Sequence, residues 1–235
     1  MKNIYDIFSV KGKRVLITGA ANGNGKEISK AFGMAGSKLF LIDIDSRNLE
    51  LVADQIKVET NCKVDWAKVD LSNAEDLENF LDKNNQFDVV INNAGVTYSN
   101  KLHDYTDADW DKTYKVNLYA PYKIMQKISK NMIREKSGSI INITSLAAEL
   151  GFPNNPAYVA FKGALKQLTK AVACDLSTEG IRVNSVGPGY IKTNMTSKSW
   201  DDKKLNQERT SRTILGRWGQ PNDLIGMVIF LASDA

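Results

Sequence analysis

Short apolar runs alternate with longer amphipathic stretches along the N-terminal half of the chain. Arg14-Val-Leu-Ile-Thr18 is rich in β-branched residues and reads as a buried strand. An amphipathic helix follows, with Ile28, Ala31, Phe32 and Ala35 on one face. Leu39–Ile42, Val64–Val69 and Phe87–Ile91 read as three further strands, separated by helical stretches over 46–59 and 73–83. Strands alternating with helices at this spacing imply right-handed βαβ units and a parallel sheet, so the fold class is a doubly wound α/β single domain. Beyond it, longer helical patterns cover Thr106–Arg134 and Ala157–Thr178. The polar, Ser/Thr-rich segment Tyr190–Arg212 lies between apolar elements and reads as a mobile substrate lid.

Composition adds limits. With 235 residues, 43% of them hydrophobic, the chain is long enough for one sizeable core. The 31 Lys and Arg against 27 Asp and Glu leave a net charge of only +4. The two signs are intermixed, which describes a soluble surface rather than a nucleic-acid stripe. No run of apolar residues is long enough for a membrane helix, and Asp6 interrupts the only early apolar stretch, which argues against a cleaved leader. A cytoplasmic protein is the expectation. Cys62 and Cys174 have no metal spacing, Cys174 is expected to be a buried thiol, and the single His103 reads as a surface loop residue. No metal is expected.

Candidate chemistry starts where the first strand ends. Gly19-Ala-Ala-Asn22-Gly23-Asn24-Gly25 places glycines as Gly-x-x-x-Gly-x-Gly between a strand and a helix N-terminus. Such a turn lets backbone approach a pyrophosphate, while the helix dipole and free N–H groups attract its charge. Asp43 ends the second strand about 20 residues past the glycines, where a carboxylate accepts from both adenosine ribose hydroxyls and repels a 2′-phosphate. NAD is therefore expected, with NADP the weaker alternative; Arg47 is a counter-signal. Asp45 competes for the ribose role, but its place past the strand reads as a solvated turn. Asp70 caps the third strand, and Asn92-Asn93-Ala94-Gly95 follows the fourth. All of these fall at the carboxyl edge of the sheet, where such folds bind ligands.

A second constellation lies downstream. Tyr158 and Lys162, at i and i+4, share a helix face, and Ser145 stands thirteen residues before the tyrosine. A free phenol titrates near about 10 and is a poor base at neutral pH. A fixed ammonium beside it favours the phenolate, so the pair reads as a proton-transfer device.

With these motifs, the chain resembles the short-chain dehydrogenase/reductase family, which has a Rossmann-type sheet. The resemblance also takes in Asn117 in Lys115-Val-Asn-Leu118, Arg182-Val-Asn-Ser-Val-Gly-Pro188-Gly189, and Thr193. Within the family, Glu149-Leu-Gly151, Gly189–Thr193, Gly216-Arg-Trp-Gly219 and Asp223–Gly226 are most similar to gluconate 5-dehydrogenase and related sugar-acid or polyol dehydrogenases. The resemblance implies that Tyr158 is the general acid/base and that Ser145 hydrogen-bonds the reacting oxygen. Lys162 would hold the nicotinamide ribose, and Asn117 a water leading to solvent. Asn93, Ala94 and Gly95 would line the nucleotide, and Pro188, Gly189, Ile191 and Thr193 would flank the nicotinamide and its phosphate. It further implies subunit pairing through the two long helices, hence a homotetramer, or at least a dimer.

Three departures accompany it. Asn24 stands where the family usually has isoleucine. Val96-Thr-Tyr-Ser99 replaces basic residues that in the sugar-acid enzymes meet a carboxylate, with Lys101 nearby, so a neutral polyol or ketose competes as substrate. After Leu231–Ala235 the family normally adds another strand. Two other functions compete. A 3-oxoacyl carrier-protein reductase would share the catalytic set but usually runs on NADPH, which Asp43 disfavours. A non-catalytic NAD sensor would not need Ser145, Tyr158 and Lys162 intact.

Overall fold

The structure, a computed structural model, describes residues 4–235. Six strands form: β1 (Arg14–Thr18), β2 (Lys38–Asp43), β3 (Val64–Lys68), β4 (Val89–Asn92), β5 (Gly138–Ile143) and β6 (Ile181–Val186). They lie in the order β3-β2-β1-β4-β5-β6, every neighbouring pair parallel. The chain builds outward from β1 to β3, returns to lay β4 against β1, and builds outward again. Strand order thus reverses between β1 and β4, and the connections diverge there to leave a crevice.

Helices cover both faces of the sheet. The N-terminal connections are α1 (Gly23–Met34), α2 (Ser46–Thr60) and α3 (Ala74–Lys83). Asp45 caps α2 by accepting from the Asn48 N–H, so it is a helix cap rather than a solvated turn residue. Asn73 caps α3 in the same way, accepting from Glu75 and Asp76. Alternate strand residues point to opposite faces. Val15 and Ile17 pack with Ile28, Phe32 and Leu49, while Leu16 packs with Leu77, Phe80 and Ile124. Burial on both faces explains why the strands read as continuous apolar runs.

The stretch expected as one helix over Thr106–Arg134 is interrupted. It runs as α4 (Asp107–Tyr114), a π turn at Lys115–Tyr119 and α5 (Ala120–Glu135). Pro121 has no N–H to give the Asn117 carbonyl four residues earlier, so the regular ladder fails at that point. Helix α6 (Pro156–Leu176) matches its expected span closely. It buries Leu165, Thr169 and Leu176, a stripe that turns Cys174 outward. Cys174 is exposed, not the buried thiol expected from its apolar neighbours. His103 is exposed beside Asp104.

The polar segment after β6 carries two short helices, α7 (Ser197–Asp201) and α8 (Lys203–Ser211). An Ile191–Gly219 bridge and a Trp200–Trp218 ring contact tie this segment down. Helix α9 (Ile225–Ala232) returns to the first sheet face through Val228 and Ala232. Among the described residues no helix is long and apolar enough to cross a membrane, and no group of His, Cys, Asp and Glu is arranged to hold a metal.

Candidate active site

The glycine turn closes onto the end of β4. Gly19 and Gly23 adopt φ of +66° and +53°, the left-handed region. A Cβ on Gly25 would lie 2.0 Å from the Gly19 carbonyl oxygen, so the turn folds back on itself with no room for a side chain. The Thr18 hydroxyl accepts from the N–H groups of Asn93 and Ala94 at 3.1 and 3.0 Å. In return the Asn93 amide donates to the carbonyls of Thr18 and Gly19. Sequence reasoning missed Thr18; its signal is a hydroxyl at the end of the strand that enters the glycine turn.

This junction lines a cleft of about 340 Å³, within the usual range for ligand sites. Gly19, Asn22, Gly23, Asn24, Asp43, Asp70, Asn93, Ala94, Gly95 and Thr193 all line it. Lys112, Val116 and Met195 line it too, without having been singled out in the sequence. Lys112 and Val116 are one turn apart, a spacing that matches any core-facing helix. The Asp43 carboxylate accepts from the N–H groups of Ala21 and Asp45, both at 3.0 Å, which locks it at the cleft wall. Asp70 accepts from the Ser72 N–H and hydroxyl; burial works against its charge, yet these bonds hold it below the usual carboxylate range. The first N–H groups of α1 receive no side-chain cap from Asn22. Bare helix N–H groups, a glycine cradle and a carboxylate on the ribose side suit a dinucleotide.

Other expected cofactor residues stand off the lining. Gly25 forms the back of the turn. The Pro188 carbonyl accepts from the Leu146 N–H at 2.8 Å, joining the end of β6 to the loop after β5. Ile191 is 8% exposed and packs on Gly219. A Cβ on Gly189 would meet nothing within 4 Å, so space does not require glycine there. Asn24 lines the cleft, and its Oδ1 is buried with no hydrogen-bond partner among the described residues.

The second constellation converges. Ser145 follows β5 in extended conformation; its hydroxyl accepts from the Ala147 N–H at 3.1 Å and bonds with the Tyr158 phenol. Lys162, one turn along α6, is 3% exposed and donates to the Ile143 carbonyl at 2.7 Å. Its Nζ lies 5.8 Å from the centre of the Tyr158 ring. A Cβ on Gly95 would lie 3.2 Å from Asn117 Oδ1 and 3.6 Å from Lys162 Nζ, so this group abuts the glycine-lined cleft. The Asn117 amide pairs with Val96 at both ends, accepting from its N–H at 2.9 Å and donating to its carbonyl at 2.8 Å.

The electrostatics correct one expectation. Burial pushes the Tyr158 phenol up, and the Ser145 hydrogen bond only partly offsets it. Burial also brings the Lys162 ammonium down to about 8. Desolvation, rather than attraction between the two groups, dominates in the protein alone. The amine is therefore a source of pH-dependent stability. Its folded pKa lies below the ordinary value of about 10.5, so between pH 8 and 10 the unfolded chain binds more protons and stability rises with pH. Relative to Lys162→Met, the unfolding free energy should climb across that window, by up to about 1.4 kcal/mol per pH unit. Denaturant melts showing a flat difference would remove this burial penalty from the account.

Comparison with known proteins places this arrangement. A family profile described as Enoyl-(Acyl carrier protein) reductase matches residues 19–235. The 2-dehydro-3-deoxy-D-gluconate 5-dehydrogenase of Bacillus subtilis is 36% identical over 238 residues, covering 100% of this chain and 93% of that protein. The 5-keto-D-gluconate 5-reductase of Escherichia coli is 32% identical, covering 98% and 92% respectively. The crystal structure of a gluconate 5-dehydrogenase from Burkholderia cenocepacia, in complex with NADP and tartrate, superposes with a TM-score of 0.91 at 31% identity, covering 99% of this chain and 92% of that one. The chain belongs to the short-chain dehydrogenase/reductase family of NAD(P)-dependent oxidoreductases.

Proposed function

We propose that this protein interconverts a secondary alcohol and a ketone on a sugar acid or polyol, with NAD as cofactor. The observation that carries the reading is the meeting of Ser145, Tyr158 and Lys162 beside Gly95, where the catalytic groups abut the dinucleotide cleft. Similarity to dehydrogenases and reductases of gluconates supports the substrate class.

Bound nicotinamide supplies the hydride acceptor, or the donor in the reverse direction. Tyr158 takes the hydroxyl proton of the alcohol, or returns it to the ketone. Ser145, already bonded to the phenol, donates to the reacting oxygen as charge develops. Lys162 stands one turn away to hold the ribose and favour the phenolate. Asn117 anchors the loop after β4 with its side chain and would hold a water on the proton route. Pro188, Gly189, Ile191 and Thr193 flank the nicotinamide end, and the segment 190–212 closes over substrate. The half-exposed Trp110, Tyr114 and Tyr122 on α4 and α5 support a homotetramer, whose size sedimentation reads directly.

Asp43 supports NAD, because its fixed carboxylate would face a 2′-phosphate. NADP is the second reading, favoured by its presence in the Burkholderia relative. A panel of polyols and sugar acids, read by nicotinamide absorbance with each cofactor, tests both. Wild type should prefer NAD, and Asp43→Ala should lose about tenfold or more with NAD while gaining with NADP, the scale of one or two charged hydrogen bonds. An unchanged ratio would leave Asp43 a structural strand end, and no turnover of any alcohol despite NAD binding would promote the non-catalytic sensor.

A further inference from the structure

A sugar acid brings a carboxylate that needs a receptor, and Val96, Thr97, Tyr98 and Ser99 in the loop after β4 are all neutral. Lys101 follows that loop and Lys112 lines the cleft near Asp70, and further positive charge stands on the lid. From α8, the Arg209 guanidinium lies 5.2 Å from the centre of the Tyr190 ring and 5.9 Å from that of Trp218. Tyr190 meets Trp218 at 5.5 Å and Phe152 edge-on at 6.1 Å. Phe152 belongs to the connection between Ser145 and Tyr158, so one continuous aromatic wall links Arg209 to the segment bearing the reacting groups. On the same wall, Lys192 Nζ sits 3.8 Å over Trp200, which packs edge-on against Trp218.

The pairing of the surrounding cations sets Arg209 apart. Arg212 pairs with Glu208, Arg217 takes both oxygens of Asp223, and Lys166 pairs with Glu149. Among the described residues, no carboxylate lies within ion-pair distance of Arg209 or Lys192. Stacking on rings holds a guanidinium while leaving its in-plane N–H donors unused. Beneath it Trp218, 4% exposed, has an indole N–H with no acceptor among the described residues. An oriented fork of donors carrying an uncompensated charge matches a carboxylate.

We propose that Arg209 is the specificity-determining residue that receives the substrate carboxylate, with Lys192 adding a second positive charge on the same wall. The assignment rests on the sugar-acid reading above and names its anchoring point. It is tested with Arg209→Gln and Arg209→Lys, using gluconate as the acid and glucitol as the neutral polyol. Arg209→Gln should raise KM for gluconate about 10- to 100-fold, the scale of a charge-assisted hydrogen bond. It should leave kcat, the cofactor dissociation constant and any turnover of glucitol within about twofold, because it removes binding shared by ground and transition states. Arg209→Lys should recover part of the loss, since it keeps the charge without the fork.

An unchanged KM for gluconate overturns the proposal, as does an equal loss on acid and polyol. A wild type that turns over glucitol but not gluconate also overturns it, while sparing the dehydrogenase reading. If wild type turns over neither, the dehydrogenase reading fails, and calorimetry of gluconate on the enzyme–NAD complex then decides Arg209. Weaker binding in Arg209→Gln supports the assignment; absent or equal binding rejects it.

Discussion

Tyr158→Phe should lower kcat by about 10³-fold or more while leaving the cofactor dissociation constant within about twofold, since proton transfer by a placed side chain contributes up to about 10⁴-fold. The substitution keeps the ring that packs one turn from Lys162 and removes only the hydroxyl bonded to Ser145. Burial disfavours the phenolate in the protein alone, so the charged form must be drawn out by what surrounds it in the loaded site: the ammonium, the serine and the positive charge of oxidised nicotinamide. Stopped-flow turnover and fluorescence titration of the cofactor separate the two effects. A variant retaining a tenth of the wild-type rate would strip Tyr158 of its role.

The second large effect is expected at a residue that touches no substrate. Gly25→Ala should destabilise the fold by about 3 kcal/mol, the upper range for overpacking a tight site. It should also weaken the cofactor. The added carbon would lie 2.0 Å from the Gly19 carbonyl oxygen and 2.6 Å from the Asn93 amide nitrogen. Neither is the free end of a flexible chain: the first is backbone, and the second is held by two hydrogen bonds. Relief must come from opening the turn, which separates Asn93 from Thr18 and widens the crevice between β1 and β4. Thermal melts with and without NAD measure both losses. Gly226→Ala, in α9 and away from the cleft, is the control, with nothing within 4 Å of the new carbon. Equal melting of Gly25→Ala and wild type would mean that the turn is looser than drawn.

Four of the six strands, β1 to β4, were legible, helped by continuous apolar runs such as Val15-Leu-Ile17 and Val89-Val-Ile91 that burial on two faces leaves, whereas β5 and β6 were not read from the sequence. The glycine turn, Asp43 and the Tyr158–Lys162 pair were legible for a similar reason, since each is set by spacing along one element. What was hidden depends on contacts distant in the chain. Thr18 ties down a loop some 75 residues away, a partner that its place at the strand end does not reveal. Cys174 sits among apolar neighbours, yet the helix stripe turns it to solvent. The upward push on the phenol arises from the depth of its surroundings, which spacing does not encode. The aromatic wall around Arg209 joins Phe152, before α6, to Tyr190, Trp200 and Arg209 of the lid and Trp218 beyond it.

The widened turn at Lys115–Tyr119 takes up one residue of chain without disturbing the helix beyond it. A π turn accommodates one residue more than the regular spiral, so deleting a residue there would restore the normal winding. Everything downstream would keep its face, because the wider turn spends one extra residue on about the same arc. Ile124, Met125 and Ile128 would stay on the sheet, while the local turn that presents Asn117 to Val96 would be lost. The irregularity therefore works as a phase adjuster: it lets one length of chain hold the core on one side and present an asparagine to the crevice on the other.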